Sequence, residues 1–425
     1  MRPVCIHFLK GLAAHHTVRY MVGIIGVVCS YLVFLHRCIP PSTFEGFVDF
    51  PSFYAASIAV FQQHLSPYDL ARLTRINGLE FRTFPFLYPP PSVILFQPLA
   101  SLSFEDAKRT MTLFNHLLLV PTLVIIPSCA LRLSRVRDFW RYALCLLYPL
   151  FLYPLIVSVR YGQINIALLT ALVGFWIALL QNRSKCAALC LSIAIVCKTI
   201  PLLFLPMLII IGRYRVSAYT TIFLTIACLL SYEILPHGMW SAWLFFIAPS
   251  GGYMNEPFGL FAPAGAWNQS LNGVLARALT QSLWSNPGFH SPLLGKILCY
   301  SGSLCIVTVS SALLYRARHS PLASHLIMAI TLPTIFLVAP FSWEHHIVYL
   351  LPAILFTLSN QPAWSPVWRI SLVAGSLITG LSFTIPALLF YRFASVVALW
   401  CIACLITWKH GSDTTVVPPG KSSAG

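Results

Sequence analysis

Residues 20–54 read YMVGIIGVVCSYLVFLHRCIPPSTFEGFVDFPSFY, and this stretch decides the fold of the chain. Residues 20–35 are apolar and uncharged, follow Lys10 and Arg19, and lack a small-residue cleavage site. They therefore predict a signal-anchor helix that is retained in a membrane. The chain then becomes polar and proline-rich, so we expect it to leave the bilayer before Asp49.

The composition of the whole chain agrees with this beginning. Hydrophobic residues make up 58% of the 425 residues and charged residues 9%, which is more apolar surface than a soluble protein can bury. Repeated apolar runs predict an all-α, polytopic helical membrane protein. The net charge of +16 comes from basic residues scattered at loop positions, so no nucleic-acid partner is expected. The 13 cysteines are dispersed, which indicates neither a disulfide framework nor a zinc site.

Hydropathy divides the chain into about 12 membrane spans, with a range of 11 to 13 because residues 185–212 also fit one long helix. Residues 92–104 follow three prolines and are short for a crossing, so we expect a re-entrant or interfacial segment. Residues 52–64 are expected to form an amphipathic helix in the interface. The spans are predicted at 20–36, 110–131, 139–158, 163–181, 185–199, 200–212, 216–236, 293–315, 321–340, 345–359, 369–389 and 391–408.

The positions of the basic residues predict the orientation of the helices. Residues 1–19 are basic, and they and the densest basic cluster are expected in the cytoplasm. Two larger loops, about 37–88 and 237–290, then lie outside. Residues 1–411 are expected to form a single transmembrane domain, and 412–425 a disordered cytoplasmic tail. The basic cluster consists of Arg132, Arg135, Arg137 and Arg141.

Asp49 is one of only 11 acidic residues in the chain. It lies among aromatic residues and a proline, where an apolar helix has just left the bilayer. A carboxylate in partly apolar surroundings, at a membrane surface, suits a general base that deprotonates a sugar hydroxyl. The alternative is an N-cap or an interfacial loop carboxylate without a chemical role.

With this topology, the unusual polar residues fall largely on the outer face, where they can line one cavity. Each also has a structural interpretation, since Gln163 and Asn165 can cap a helix and Lys198 can extend to the interface. Ionisable residues inside apolar runs are nevertheless functional by default. The adjacent His345 and His346 would point about 100° apart on a helix, which makes them poor co-ligands of one metal, and no metal is expected.

The residue types in this cavity suit three parts of one substrate. Cationic and imidazole side chains suit a phosphate, aromatic rings suit a sugar, and a carboxylate suits hydroxyl activation. Together they indicate glycosyl transfer from a lipid-phosphate sugar. We assign donor phosphate binding to Arg160, Lys198, His345 and His346. We assign sugar or acceptor binding to Tyr88, Gln163, Asn165, Asn268, Gln269, Trp343 and Glu344.

Motifs in a fixed order carry a resemblance to a known family. They are DFPSFYAA at 49–56 with SPYD at 66–69, FLYPP at 86–90 with FQPL at 96–99, GQIN at 162–165 with KTIP at 198–201, and NQSL at 268–271 with Arg277 and SWEHH at 342–346. In this order they resemble glycosyltransferase family 87, the bacterial polyprenyl-phosphate-mannose-dependent mannosyltransferases with the C-type membrane fold. The resemblance covers about residues 45–350.

This resemblance implies a fold, a reaction and a site. It implies a C-type glycosyltransferase fold, a polyprenyl-phosphate mannose donor and an inverting displacement, and we expect the domain at 1–411 to be the catalytic one. The implied acceptor is a glycolipid or glycan bound at the outer face of the cell membrane. Asp49 matches the aspartate expected to be the base, and His345 or His346 matches the histidine near the donor phosphate. Membrane lipids are the other expected partners, and no cofactor is expected.

Two further interpretations stay open at this point. A transporter or lipid flippase would show matched broken helices in two related halves and ionisable residues near the midplane. A lipid-linked polymerase or ligase would use similar chemistry on glycan chains. The polar residues of this chain gather at one end and its large loops lie on one face, which favours an enzyme at the outer surface.

Overall fold

The fold is given by a computed structural model that describes residues 2–38, 49–69, 84–131, 139–257, 261–359 and 391–412. Three predictions lie outside these residues: the span at 369–389, the tail from residue 413 onward, and most of the basic cluster after residue 131. Residues 39–48 and 70–83 of the first loop that we predicted to be outer are also not among the described residues.

The described part of the chain is helical and contains no β-strand. Its α-helices are α1 Arg2–Cys38, α2 Phe50–Phe61, α3 Phe104–Ala130, α4 Phe139–Leu150, α5 Tyr153–Arg160, α6 Asn165–Leu180, α7 Ser184–Cys197, α8 Phe204–Ile210, α9 Tyr214–Ile234, α10 Met239–Ser250, α11 Leu271–Leu279, α12 Pro292–Arg316, α13 Ala323–Val338, α14 Leu351–Ser359 and α15 Tyr391–Ser412. The 3-10 helices are Pro90–Leu99, Ile200–Leu203 and Glu344–Leu350. A π-helical turn, Trp243–Ile247, interrupts α10.

Five helices in the described ranges are long and apolar enough to cross a membrane, and α4 with α5 makes a sixth if the pair, bent by 52°, is one span. The helical membrane class predicted from composition is therefore confirmed. Several other predicted spans fall on shorter apolar helices, so the count of about 12 stays a prediction. The five helices contain the stretches Tyr20–Cys38, Phe104–Ala130, Tyr214–Ile234, Pro292–Arg316 and Arg392–His410.

Residues 185–212 do not form one long helix, because the helical hydrogen bonding is interrupted after α7. Helix α7 ends at Cys197, and Lys198 is extended, with φ −152° and ψ 136°. The 3-10 helix Ile200–Leu203 follows. Pro201 fits this end of the helix, because it has no N–H to donate to the Cys197 carbonyl four residues earlier and its ring would clash with that carbonyl. The break places the Lys198 side chain in the protein interior, where it is buried.

The prediction that residues 52–64 form an interfacial amphipathic helix is wrong. Helix α2 ends at Phe61, and residues 50–60 are all buried. It packs against the 3-10 helix Pro90–Leu99, where the Phe53 and Phe96 rings stack at 4.5 Å between centroids. Aromatic and small residues occur on all sides of α2, so every face finds a protein neighbour and none is left for the interface.

The core lies around α6 and α13, which pack against each other. Every residue of α13 from 323 to 337 is buried, and Trp176 and Phe175 of α6 are fully buried. Helices α1, α9 and α12 instead present apolar side chains outward, such as Ile24, Leu229 and Leu304. An exposed apolar face of this size is costly in water and not in lipid, which fits membrane helices around a buried centre.

Candidate active site

Asp49 occupies the N-cap position of α2, but its side chain makes no capping hydrogen bond. Instead, its Oδ2 accepts a hydrogen bond from Nε2 of Gln163 at 2.5 Å. The residue as a whole is partly accessible, and it lines a cavity. Burial raises the pKa of Asp49 to about 6, although the Gln163 hydrogen bond and the charge of Lys198 oppose the shift. The group is therefore set up as a stronger base than an ordinary surface aspartate.

Gln163 is held by the turn between α5 and α6. Gly162 has a φ of +64°, in the left-handed region that glycine adopts without strain. The Oε1 of Gln163 accepts from the Tyr88 hydroxyl at 3.4 Å, and its backbone carbonyl accepts from Nδ2 of Asn115 at 3.4 Å. Gln163 thus links the Asp49 carboxylate to Tyr88. This closeness to Asp49 fits the prediction that Gln163 belongs to the site.

Lys198 lies at the centre of a second group of polar contacts. Its Nζ donates to Oδ1 of Asn165 at 2.9 Å and lies 2.7 Å from Nε2 of His346. Asn165 in turn donates from Nδ2 to Oγ of Ser158 and to the carbonyl of His345, each at 3.3 Å. The lysine does not extend to an interface in this arrangement, because its side chain is buried among these partners.

The two histidines lie on the 3-10 helix Glu344–Leu350, and both line the cavity. The Nδ1 of His346 accepts the backbone N–H of Trp343 at 3.2 Å, which turns Nε2 toward Lys198. The His345 ring packs edge-on against Tyr161, at 6.2 Å between centroids. The 3-10 helix packs against α5 and α6, so it meets the residues that follow the Gly162 turn.

The cavity has a volume of about 470 Å³. Its polar residues gather around Asp49 and Lys198, whereas most of its wall is apolar or aromatic. A substrate that combines a polar head with an apolar chain would match this division. The polar lining comprises Asp49, Ser52, Gln163, Lys198, Thr199, Ser250, His345 and His346. The larger apolar and aromatic lining residues are Phe53, Phe84, Leu87, Tyr88, Ile200, Leu202, Trp243, Ile247, Phe261, Phe341 and Trp343.

Asn268 and Gln269, predicted as sugar or acceptor ligands, are not among the described residues that line the cavity. Nδ2 of Asn268 donates to the carbonyls of Pro263 at 3.1 Å and Pro340 at 3.0 Å. Its Oδ1 accepts the backbone N–H of Ser342 at 3.1 Å. Neither residue is therefore part of the described cavity lining, and Asn268 ties the segment at 263–268 to the segment that carries the histidines.

Arg160 and Glu344 also lie outside the described cavity lining. Glu344 accepts a hydrogen bond from Nη1 of Arg392 in an ion pair, so its carboxylate points to another protein group. Arg160 is the last residue of α5 and is partly buried. Of the predicted residues, the structure brings together Asp49, Tyr88, Gln163, Asn165, Lys198, Trp343, His345 and His346.

Sequence reasoning missed two residues that matter here. Trp243, on the π-helical turn of α10, lines the cavity, and its Nε1 donates to the carbonyl of Leu87 at 3.4 Å; no sequence signal marks it. Arg392 has such a signal, because a lone arginine at the start of an apolar run is an ionisable residue in a membrane-spanning stretch. No group of three or more potential metal ligands converges within the described ranges.

Fold and site together define a helical membrane protein whose cavity joins a carboxylate, a lysine and two histidines to apolar walls. The family model for glycosyltransferase family 87 matches residues 86–340, more than half of the chain. The chain therefore belongs to glycosyltransferase family 87, as its motifs indicated. The matched region contains the cavity residues from Tyr88 to Lys198 and ends shortly before the two histidines.

Two curated relatives extend the comparison. One is the polyprenol-phosphate-mannose-dependent alpha-(1-2)-phosphatidylinositol mannoside mannosyltransferase of Mycobacterium tuberculosis, 26% identical over 302 residues. This match covers 66% of the present chain and 64% of the relative, just under two thirds of its length. A protein of the same description from Mycolicibacterium smegmatis is 24% identical over 318 residues, covering 71% of this chain and 67% of the relative.

Proposed function

We propose that this protein is a membrane mannosyltransferase that uses a polyprenyl-phosphate mannose donor. It transfers the sugar by inverting displacement to a glycolipid or glycan acceptor at the outer face of the cell membrane. The observation that carries the proposal is that one cavity holds Asp49, with its raised pKa, beside Lys198 and His346 and between apolar walls. The family and the names of the two relatives support the same donor class.

Asp49 is the general base in this reaction. The acceptor hydroxyl gives its proton to the carboxylate while its oxygen attacks the anomeric carbon of the donor sugar. The bond from that carbon to the phosphate oxygen breaks, and polyprenyl phosphate leaves with the electron pair. Attack opposite the leaving group inverts the anomeric configuration. With a pKa of about 6, Asp49 is still ionised at neutral pH and accepts a proton more readily than an ordinary aspartate.

Gln163 orients the base in this mechanism. Its amide N–H occupies Oδ2 of Asp49, which leaves Oδ1 for the acceptor hydroxyl. Because the amide is itself held by the Tyr88 hydroxyl, the carboxylate keeps one orientation before substrate arrives. Such preorganisation removes the need to reorder polar groups during the reaction.

Lys198 and His346 stabilise the leaving phosphate. Charge builds on the phosphate oxygen as the bond to the sugar breaks, and hydrogen-bond donors in a site with little water stabilise that charge strongly. Lys198 and the cavity face of His346 lie within one hydrogen-bond length of each other, so a single phosphate can contact both. The apolar wall, with Leu202, Trp243 and Ile247, suits the first isoprenoid units of the donor.

The outward orientation rests on charge distribution and chain order. Asp49 follows α1 closely, and the N-terminal residues before that span are basic, which supports an outward position for the far end of α1. The arginines after residue 131 and the turns with Arg183 and Arg213 fit the cytoplasmic side in the same scheme. A polyprenyl-linked donor suits this location, since its lipid keeps the activated sugar in the membrane.

A flippase is the competing function, because the break at Lys198 lies beside buried ionisable groups, as broken helices do in transporters. An assay with purified protein distinguishes the two functions. The protein is incubated with radiolabelled polyprenyl-phosphate mannose and a membrane glycolipid extract. A mannosyltransferase releases polyprenyl phosphate and yields a labelled glycolipid whose new linkage has the anomeric configuration opposite to that of the donor. Intact donor that only changes leaflet in proteoliposomes would contradict the proposal.

A further inference from the structure

The ion pair of Glu344 and Arg392 connects the cavity to the last described helix. Arg392 Nη1 donates to Oε2 of Glu344, and the two side chains are only 6% and 13% exposed, respectively. Arg392 belongs to α15, whereas Glu344 begins the 3-10 helix that carries His345 and His346. The pair thus joins a helix without any family motif to the residues assigned to the donor phosphate.

Burying the charged side chain of Arg392 is unfavourable unless the ion pair offsets the loss of its hydration. A buried guanidinium must be paired to offset its desolvation, and Arg392 is only 6% exposed. Anchoring α15 does not require it, because α15 packs against α12 and α13. Trp400 of the same helix also donates from Nε1 to Oγ of Ser310 at 3.0 Å.

The position of the Glu344 carboxylate beside the cavity suggests the role of Arg392. Glu344 is flanked in the chain by Trp343 and His345, and both neighbours line the cavity. If Glu344 had no partner, its negative charge would lie next in the chain to His345 and would repel a phosphate bound in the cavity. Charges in a poorly hydrated region interact far more strongly than in water, so an unpaired Glu344 would repel an anionic donor.

We propose that Arg392 is a positioning residue for the donor phosphate. By binding Glu344 it fixes the start of the 3-10 helix and cancels a negative charge beside the phosphate site. Asn268 holds the same segment from the other side through the Ser342 N–H. The inference rests on the proposed function, since it concerns how the same site accepts an anionic lipid phosphate.

The charges predict an asymmetric response to mutation. Arg392→Met removes the ion-pair partner of the Glu344 carboxylate, so we expect the donor KM to rise about tenfold with the acceptor KM unchanged. Glu344→Gln leaves a positive charge near the phosphate and should not raise the donor KM. In the double variant, Glu344→Gln should restore most of the donor KM lost with Arg392→Met. A pair that only stabilises the fold would make both single variants similarly defective.

The experiment measures transfer by purified protein at varied donor and acceptor concentrations, with a melting temperature for each variant. Arg316→Met is the matched control, because the Arg316 guanidinium lies 4.0 Å from the centroid of the Trp408 ring, near the other end of α15. We expect this control to leave both KM values unchanged. Arg392→Lys keeps the charge and is expected to keep the donor KM within about threefold of wild type.

Three outcomes would overturn the inference: a donor KM that Arg392→Met leaves unchanged, a rise of the same size in Glu344→Gln, or no rescue in the double variant. If Arg392→Met does not fold, Glu344→Gln and Arg392→Lys decide the question, because a raised donor KM in both contradicts the charge argument. If wild-type protein transfers no sugar, the proposed function fails. Transfer by the wild type with an unchanged KM in Arg392→Met refutes this inference alone.

Discussion

Nζ of Lys198 lies 2.7 Å from Nε2 of His346, although 148 residues separate them in the chain. Because Nδ1 of the same ring accepts the Trp343 N–H, the proton of a neutral His346 belongs on Nε2. A protonated Lys198 and this Nε2–H are both hydrogen-bond donors, and an acceptor that bonds to both relieves their repulsion. An oxygen of a phosphate can accept from both, and this is the physical basis for placing the donor phosphate there.

Substitution of the two donors should weaken the use of the donor substrate. We expect Lys198→Ala and His346→Ala each to lower kcat/KM for the donor tenfold or more, since a charge-assisted hydrogen bond contributes about 1.5–3 kcal/mol. His345→Ala should have a smaller effect, because its carbonyl, and not its ring, receives the Asn165 amide. His290→Ala, at an exposed histidine of the outer loop, is the control. If Lys198→Ala and His346→Ala lower the melting temperature but keep normal specific activity, the two residues do not bind the donor phosphate.

Asp49→Asn should abolish transfer while the protein still folds and binds donor. Loss of a general base lowers kcat by roughly two to four orders of magnitude, and the amide can still accept a hydrogen bond from Gln163. Glu105→Gln, at an exposed carboxylate in the first turn of α3, provides a control of equal charge change. Transfer near the wild-type rate in Asp49→Asn would show that another group takes the proton.

The pH profile should report the ionisation of Asp49. Its pKa is raised to about 6, so we expect kcat/KM to fall about tenfold per pH unit below this value as the base becomes protonated. The folded-state pKa exceeds the value of about 3.9 for an unfolded aspartate, so this protonation favours the folded state as pH falls. Melting temperatures measured alongside should show that unfolding of this origin does not cause the loss. A flat profile down to about pH 5 contradicts the assignment.

The proposed orientation is testable with single cysteines in a background without native cysteines. Leu283 is fully exposed in the second outer loop, so Leu283→Cys should react with an impermeant thiol reagent on intact cells. Arg318→Cys, in the turn after α12, should react only after the cells are permeabilised. The opposite labelling pattern would place the cavity on the cytoplasmic side.

Asn268→Ala should destabilise the protein and leave the acceptor KM unchanged. The change removes buried hydrogen bonds to two carbonyls and to the Ser342 N–H, and we expect a loss of about 2 kcal/mol. Thermal unfolding in detergent measures this loss, and steady-state kinetics on the folded protein tests the acceptor. A raised acceptor KM without a lower melting temperature would favour the sequence-based role as an acceptor ligand.

The amino-acid sequence by itself determined the membrane class and the main polar residues. Helical membrane segments follow from local hydropathy, because each apolar run must satisfy its own backbone hydrogen bonds in lipid. Asp49, Lys198 and the adjacent histidines stand out for a similar local reason, since ionisable groups are rare in such runs. The break after Cys197 could also be read locally, from Pro201.

The tertiary structure decided which partner each polar side chain has. Asp49 binds Gln163 instead of capping α2, and Glu344 binds Arg392 instead of facing a sugar. These partners are 114 and 48 residues away in the chain, so no local pattern encodes them. Packing brings the segments together, and a buried charge or amide must then bond to whatever group that packing places beside it.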